Sequence, residues 1–90
     1  MSKTHQEQHD LAQQIEAARQ KVTVGAKYRH YKGADKTYAV MGLGFIEEDE
    51  ELCVIYRAEY GEKLTFIRPL TVWIEQVEWG GKTVPRFAKL

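Results

Sequence analysis

Apolar residues recur at helical spacing near the N-terminus and then switch to the two-residue rhythm of strands. Leu11, Ile15, Ala18 and Val22 stand four, three and four apart, with polar Gln13, Gln14, Glu16, Arg19, Gln20 and Lys21 between them. That spacing gathers the apolar side chains into one narrow stripe and predicts an amphipathic helix of about twelve residues. Asp10 is the expected N-cap, Arg19 and Lys21 suit the negative end of the helix, and Gly25 ends the unit. So short a helix is marginal alone, and its stripe requires a surface. That surface is either one end of the following domain or a second copy of the chain, through self-association. Residues 1–8, ahead of the stripe, are polar.

From Lys27 the pattern is one of short strands between turns. Residues 27–32 alternate imperfectly and stop at Gly33-Ala34-Asp35; residues 36–45 form a longer candidate; residues 47–51 are five consecutive acids in a connecting loop. Strict alternation over 36–45 places Ala39, Met41, Leu43 and Phe45 on one face and Tyr38, Val40, Gly42 and Gly44 on the other. The glycine pair then leaves a bare stripe, predicting sharp sheet coiling or a close-crossing element. Leu52, Val54 and Tyr56 oppose Cys53, Ile55 and Arg57 in the most strand-like segment, and residues 64–68 return after the turn at Tyr60-Gly61-Glu62. Pro69 followed by Leu70, Trp73, Ile74 and Val77 fits a short helical turn near 69–75, with Pro69 at its first position. Gly80-Gly81 is a favoured hairpin turn that pairs Trp79 with Lys82, Glu78 with Thr83 and Val77 with Val84. Pro85 confines the last strand to an edge.

These elements predict a mainly β fold, a small SH3-like bent barrel of about five short antiparallel strands with an N-terminal amphipathic helix. The second architecture compatible with the pattern is an open antiparallel sheet covered on one side by the helix. The division expected is an arm over residues 1–24 and a β domain over residues 25–90.

Composition narrows the function classes. Thirteen basic and thirteen acidic residues cancel, which removes the general electrostatic argument for nucleic-acid binding. Charge is nonetheless segregated, with five Lys or Arg against one acid between Lys21 and Lys36. A single cysteine, Cys53, excludes an intrachain disulfide and fits a reducing compartment. The N-terminus lacks the apolar core of a signal peptide. The longest apolar run, residues 38–46, is far short of the ~20 residues of a membrane helix. A cytoplasmic protein with no membrane partner is the expectation.

The segments KYRHYKG (27–33), TYAVMGLG (37–44), VIYRAEYG (54–61), FIRPL (66–70) and GKTVPRF (81–87) occur in order. Together they resemble the bacterial domain of unknown function 1653 family over about residues 25–88. The resemblance implies a small bacterial protein with no agreed activity. Its Tyr-Arg-His-Tyr, Tyr-Arg, Arg-Pro-Leu and Pro-Arg-Phe elements fall on Tyr28–Tyr31, Tyr56–Arg57, Arg68–Leu70 and Pro85–Phe87, and it brings no catalytic assignment.

Aromatic and basic residues mixed within strands are the unusual feature. Tyr28, Arg29, His30, Tyr31, Arg57, Arg68 and Arg86 are the candidate ligand-binding residues, with Lys32 and Trp79 beside them. Exposed rings next to cations suit a peptide or protein partner first and single-stranded nucleic acid second. The structural reading of the same residues is that tyrosines bury their rings and arginines lie over aromatic faces or pair with Glu59, Glu75 and Glu78. An interaction module presenting an aromatic and basic surface is therefore the first expectation. A small ligand-binding protein or enzyme, with His30 converging on Arg57 or Arg68 and Glu59 or Glu75, is the second. No catalytic residue is singled out, and Cys53 reads as a buried, inert thiol. His5 and His9, four apart, are too few for a metal site, and no cofactor motif occurs.

Overall fold

The computed structural model describes residues 7–90, so the polar tip and His5 lie outside the described residues. Helix α1 spans Gln8–Ala18, with Glu7 at the N-cap and Asp10 inside the first turn, where a carboxylate still suits the helix dipole. The helix stops at Ala18, and the stripe continues through a turn. Ala18 and Val22 are buried within the protein's own domain, Val22 as part of its core, while Leu11 and Ile15 are half-buried.

Seven strands follow: β1 (Lys27–His30), β2 (Thr37–Ile46), β3 (Glu51–Ala58), β4 (Thr65–Pro69), β5 (Gln76–Trp79), β6 (Lys82–Pro85) and β7 (Phe87–Lys89), with a one-turn helix α2 (Leu70–Trp73) between β4 and β5. The main sheet is antiparallel in the order β4-β3-β2-β1-β7, and β5-β6 form a separate two-stranded sheet. The expected SH3-like barrel is not present. Closure requires β4 to pair with β7, and these remain the two open edges. The physical reason lies after Pro69. The chain turns into α2, whose Trp73 ring stacks flat on Phe87, centroids 3.8 Å apart and planes at 6°. Trp73 completes the core cluster with Tyr28, Tyr56 and Phe87, so the inner face is filled while β4 and β7 stay unpaired. Pro69 stands at the N-cap of α2 rather than inside it.

The core lies on one face of the main sheet: Tyr28, Tyr38, Val40, Val54, Tyr56, Ala58 and Phe87, with Trp73 and Val22 above them. Strand β2 corrects the simple alternation. Its register with β3 shifts between Val40 and Gly42, so Val40 faces Tyr56 while Leu43 faces Val54. The extra residue, Met41, is 53% exposed. This β-bulge turns Tyr38, Val40, Leu43 and Phe45 to one face and leaves Ala39, Gly42 and Gly44 on the other. Among the described residues no element packs onto the glycines. A side chain at Gly42 would meet nothing, and one at Gly44 would meet only Ile55.

The β5-β6 hairpin has the register that its turn demands, with Val77 opposite Val84, Glu78 opposite Thr83 and Trp79 opposite Lys82. Gly80 and Gly81 both take positive φ, 61° and 79°, as a type I′ turn requires. Strand β7 has no signature in the sequence pattern. After Pro85 and Arg86 the chain re-enters the main sheet, pairing Phe87 with His30 and Lys89 with Tyr28. Three residues are too few for periodicity to reveal.

Candidate aromatic and basic interaction site

The seven candidates separate into three groups. Tyr28 is structural. It is buried, its hydroxyl accepts the Thr23 N–H at 2.9 Å, and its ring meets Trp73 edge-on at 5.3 Å. Arg29 and Arg57 point to the outer face of the sheet, opposite the core, with Lys27, Thr37 and Ala39. His30, Arg68 and Arg86 lie around Phe87, and Tyr31 leads from them toward the hairpin.

Arg57 is therefore separated from Arg68 and Arg86, which both stay beside His30. Arg57 lies across the sheet from Arg68, whose side chain donates from Nε to the Tyr56 hydroxyl at 3.1 Å and holds its guanidinium 5.3 Å from the Phe87 centroid. Arg86 is held by Glu75 at 2.7 Å, and its backbone N–H donates to the Glu75 carbonyl at 2.9 Å. The Arg86 carbonyl in turn accepts the Tyr31 N–H at 3.1 Å. One residue thus ties β1, the hairpin and the segment after α2 together, and its charge is already partnered. Glu59, also on the outer face, accepts from Thr37 at 3.0 Å and pairs with Lys27 at 3.2 Å.

The geometry does assemble a continuous aromatic strip that leaves the core and reaches solvent. From Phe87 it runs to His30 (5.1 Å), to Tyr31 (4.6 Å) and to Trp79 (5.2 Å, planes at 79°). Exposure rises along it, from buried Phe87 through half-buried His30 and Tyr31 to Trp79 at 50%. Cations border it: Arg68 over Phe87, Lys32 near the Tyr31 ring at 5.8 Å, and Arg29. At the outer end Tyr31, Trp79, Val84, Pro85, Ala88 and Arg29 line a hollow of about 260 Å³. Of the two acids of the hairpin region, Glu75 is paired with Arg86, and Glu78 accepts from the Thr83 hydroxyl at 2.5 Å while keeping its charge. The strip is thus apolar, with Arg68, Lys32 and Arg29 along its border.

Titration behaviour follows from this packing. Burial, then the charges of Arg68, Arg86 and Lys32, hold His30 below its usual range, so the imidazole is neutral at pH 7. Its Nδ1 accepts the Lys32 N–H at 3.2 Å, which leaves the hydrogen on Nε2. Burial, helped by the 2.6 Å hydroxyl contact with Tyr60, pushes Tyr38 well up. Cys53 is buried, and burial raises its thiol further, followed by the charges of Glu51 and Asp49. Such a thiol is a poor nucleophile. Among the described residues no three His, Cys, Asp or Glu side chains come together to hold a metal ion, and no helix is long and apolar enough to cross a membrane.

Nothing local in the sequence marks Phe87, Val84, Pro85 and Ala88 as site residues. They line the site only because β7 returns beside β1. The Pro85-Arg86 break was the only local signal of that return.

A family model described as a protein of unknown function, DUF1653, matches residues 26–89. The crystal structure of a DUF1653 protein from Bordetella bronchiseptica is similar to this chain, with a TM-score of 0.66 and 35% identity. The similarity covers 73% of this chain and 85% of that one. No curated protein matches.

Proposed function

The chain belongs to the DUF1653 family, whose description assigns no activity, and we propose that it works as a small binding module whose recognition surface is the Tyr31–Trp79 end of the aromatic strip. The partner that fits is an extended acidic peptide segment carrying one apolar side chain. The observation that carries this reading is the hollow between the hairpin and the β1-β7 edge. It is lined by the Tyr31 and Trp79 rings, by Val84, Pro85 and Ala88, and by Arg29. An aliphatic side chain suits the apolar part, and a neighbouring carboxylate suits Arg29 and Lys32.

A peptide fits better than a nucleic-acid strand. The Tyr31 and Trp79 rings are perpendicular, which makes a corner for one side chain rather than a platform on which successive bases stack. Net charge zero points the same way. Of the residues that an enzymatic reading needs, Arg57 and Glu59 lie on the face away from His30, while Arg68 stays on the His30 side over Phe87 and Glu75 is engaged by Arg86.

Titration of the 15N-labelled protein with Asp/Glu-flanked leucine and proline peptides, and with an oligothymidine, at low and high salt tests the proposal. Peptide-induced shifts should centre on Tyr31, Trp79 and Val84. Trp79→Ala should weaken binding about 30-fold, as loss of a buried-on-binding aromatic anchor does. Shifts confined to other faces, or saturable binding of the oligonucleotide alone, would refute it.

A further inference from the structure

The two edges of the main sheet are treated differently. The β7 edge is three residues long and lies beside the segment joined to it through Arg86 and Glu75. The β4 edge carries Leu64, Phe66 and Ile67 at 57%, 41% and 58% exposure. Its inner side is set by the Ala58 N–H donating to the Leu64 carbonyl at 2.9 Å, in register with the pairs Tyr56–Phe66 and Val54–Arg68. Hydrogen-bonded pairs alternate along an antiparallel ladder, so residues 64, 66 and 68 turn their backbone groups to β3. Thr65 and Ile67 turn both N–H and C=O outward.

From this we propose that β4 is a homodimerisation edge, pairing antiparallel with β4 of a second copy about a dyad at Phe66. In that register Thr65 meets Ile67 of the other copy twice, and four main-chain hydrogen bonds use every outward group of the two residues. Phe66 faces its own counterpart, extending the Tyr56–Phe66 ring contact of 5.8 Å across the dyad. Leu64 faces the aliphatic stem of Arg68, the one charge on the strand, so no like charges meet. Sliding by one position brings into the ladder either Pro69, whose ring replaces the outward donor, or Lys63, which sits in a left-handed turn at φ 54°. This palindromic set of donors, acceptors and side chains favours a second copy over an unrelated strand. One short edge buries less than the ~1,200 Å² of a tight complex, so Kd should be on the order of 10–100 μM.

Sedimentation velocity between about 5 and 500 μM should show monomer converting to dimer over that Kd range. Ile67→Lys, a change at an exposed position, should raise Kd at least tenfold with an unaltered circular-dichroism spectrum. In a Cys53→Ala background, oxidation should link Phe66→Cys across the dyad, where Cα atoms of a non-hydrogen-bonded pair stand about 4.5 Å apart. Thr65→Cys and Ile67→Cys should not link. A wild-type protein monomeric at the top concentration, a dimer indifferent to Ile67→Lys, or linking at 65 or 67 instead of 66 would overturn the proposal.

Discussion

Replacement of Trp73 by alanine tests the claim that one indole holds the open sheet together. Trp73 is 2% exposed and is stacked on Phe87, with edge contacts to Tyr56 at 4.9 Å and Tyr28 at 5.3 Å. Alanine would retain only Cβ, forfeiting the three ring contacts and opening a cavity over the centre of the sheet. Deletions of this kind cost about 3–5 kcal/mol, and a central estimate here is about 4 kcal/mol. A domain of this size has about 5–13 kcal/mol in total, so roughly a third to four-fifths of the margin is at stake. With a urea slope near ~1.2 kcal/mol/M, the midpoint should fall by about 3 M. Trp79→Ala is the control. That ring is half-exposed and touches only Tyr31 among the aromatic residues, so its midpoint should move by less than ~1 M. Urea melts followed by far-ultraviolet circular dichroism give both values. A Trp73→Ala midpoint within ~1 M of wild type, at unchanged slope, would refute the assignment of Trp73 as the plug.

Deleting Met41 should leave the fold intact, because the bulge residue is the one that breaks alternation. Without it, Val40 and Gly42 become neighbours already in register with Tyr56 and Ile55. Amide spectra should keep their dispersion, whereas loss of cooperative unfolding would show that the bulge is indispensable. Gly81→Val forces a β-branched residue to φ 79° and should cost about 1–2 kcal/mol, read as a lowered urea midpoint, and should weaken peptide binding because the hairpin carries Trp79. His30 has a folded-state pKa below its unfolded value near 6.5, so the unfolded chain binds the extra proton. Stability should be constant above that value, fall as pH drops through it, and level off below the folded pKa. Arg68→Gln should raise the His30 pKa measured by NMR and flatten that fall; an unchanged pKa would show that Arg68 does not act on the imidazole.

Local chemistry alone determined several features of this protein. The hairpin register follows from two glycines and the valines that flank them, and the alternation of β3 is complete within its own eight residues. The same is true of the basic and aromatic character of 28–32, and of the five ordered segments that carry the family. In each case the residues that decide the outcome are sequence neighbours. What only the tertiary structure decided depends on residues far apart. The faces of β2 hinge on a bulge whose placement is set by Tyr56 and Val54 across the ladder, not by Met41 itself. The sheet stays open with Trp73 stacked on Phe87 and β4 and β7 unpaired, an outcome that joins residues far apart in the chain. Arg57 parts from Arg68 because an odd and an even position on adjacent strands point to opposite faces. The strip from Phe87 to Trp79 exists because a three-residue strand after Pro85 returns beside β1. Composition could name the rings and cations of that surface, but only long-range pairing could bring them to one place.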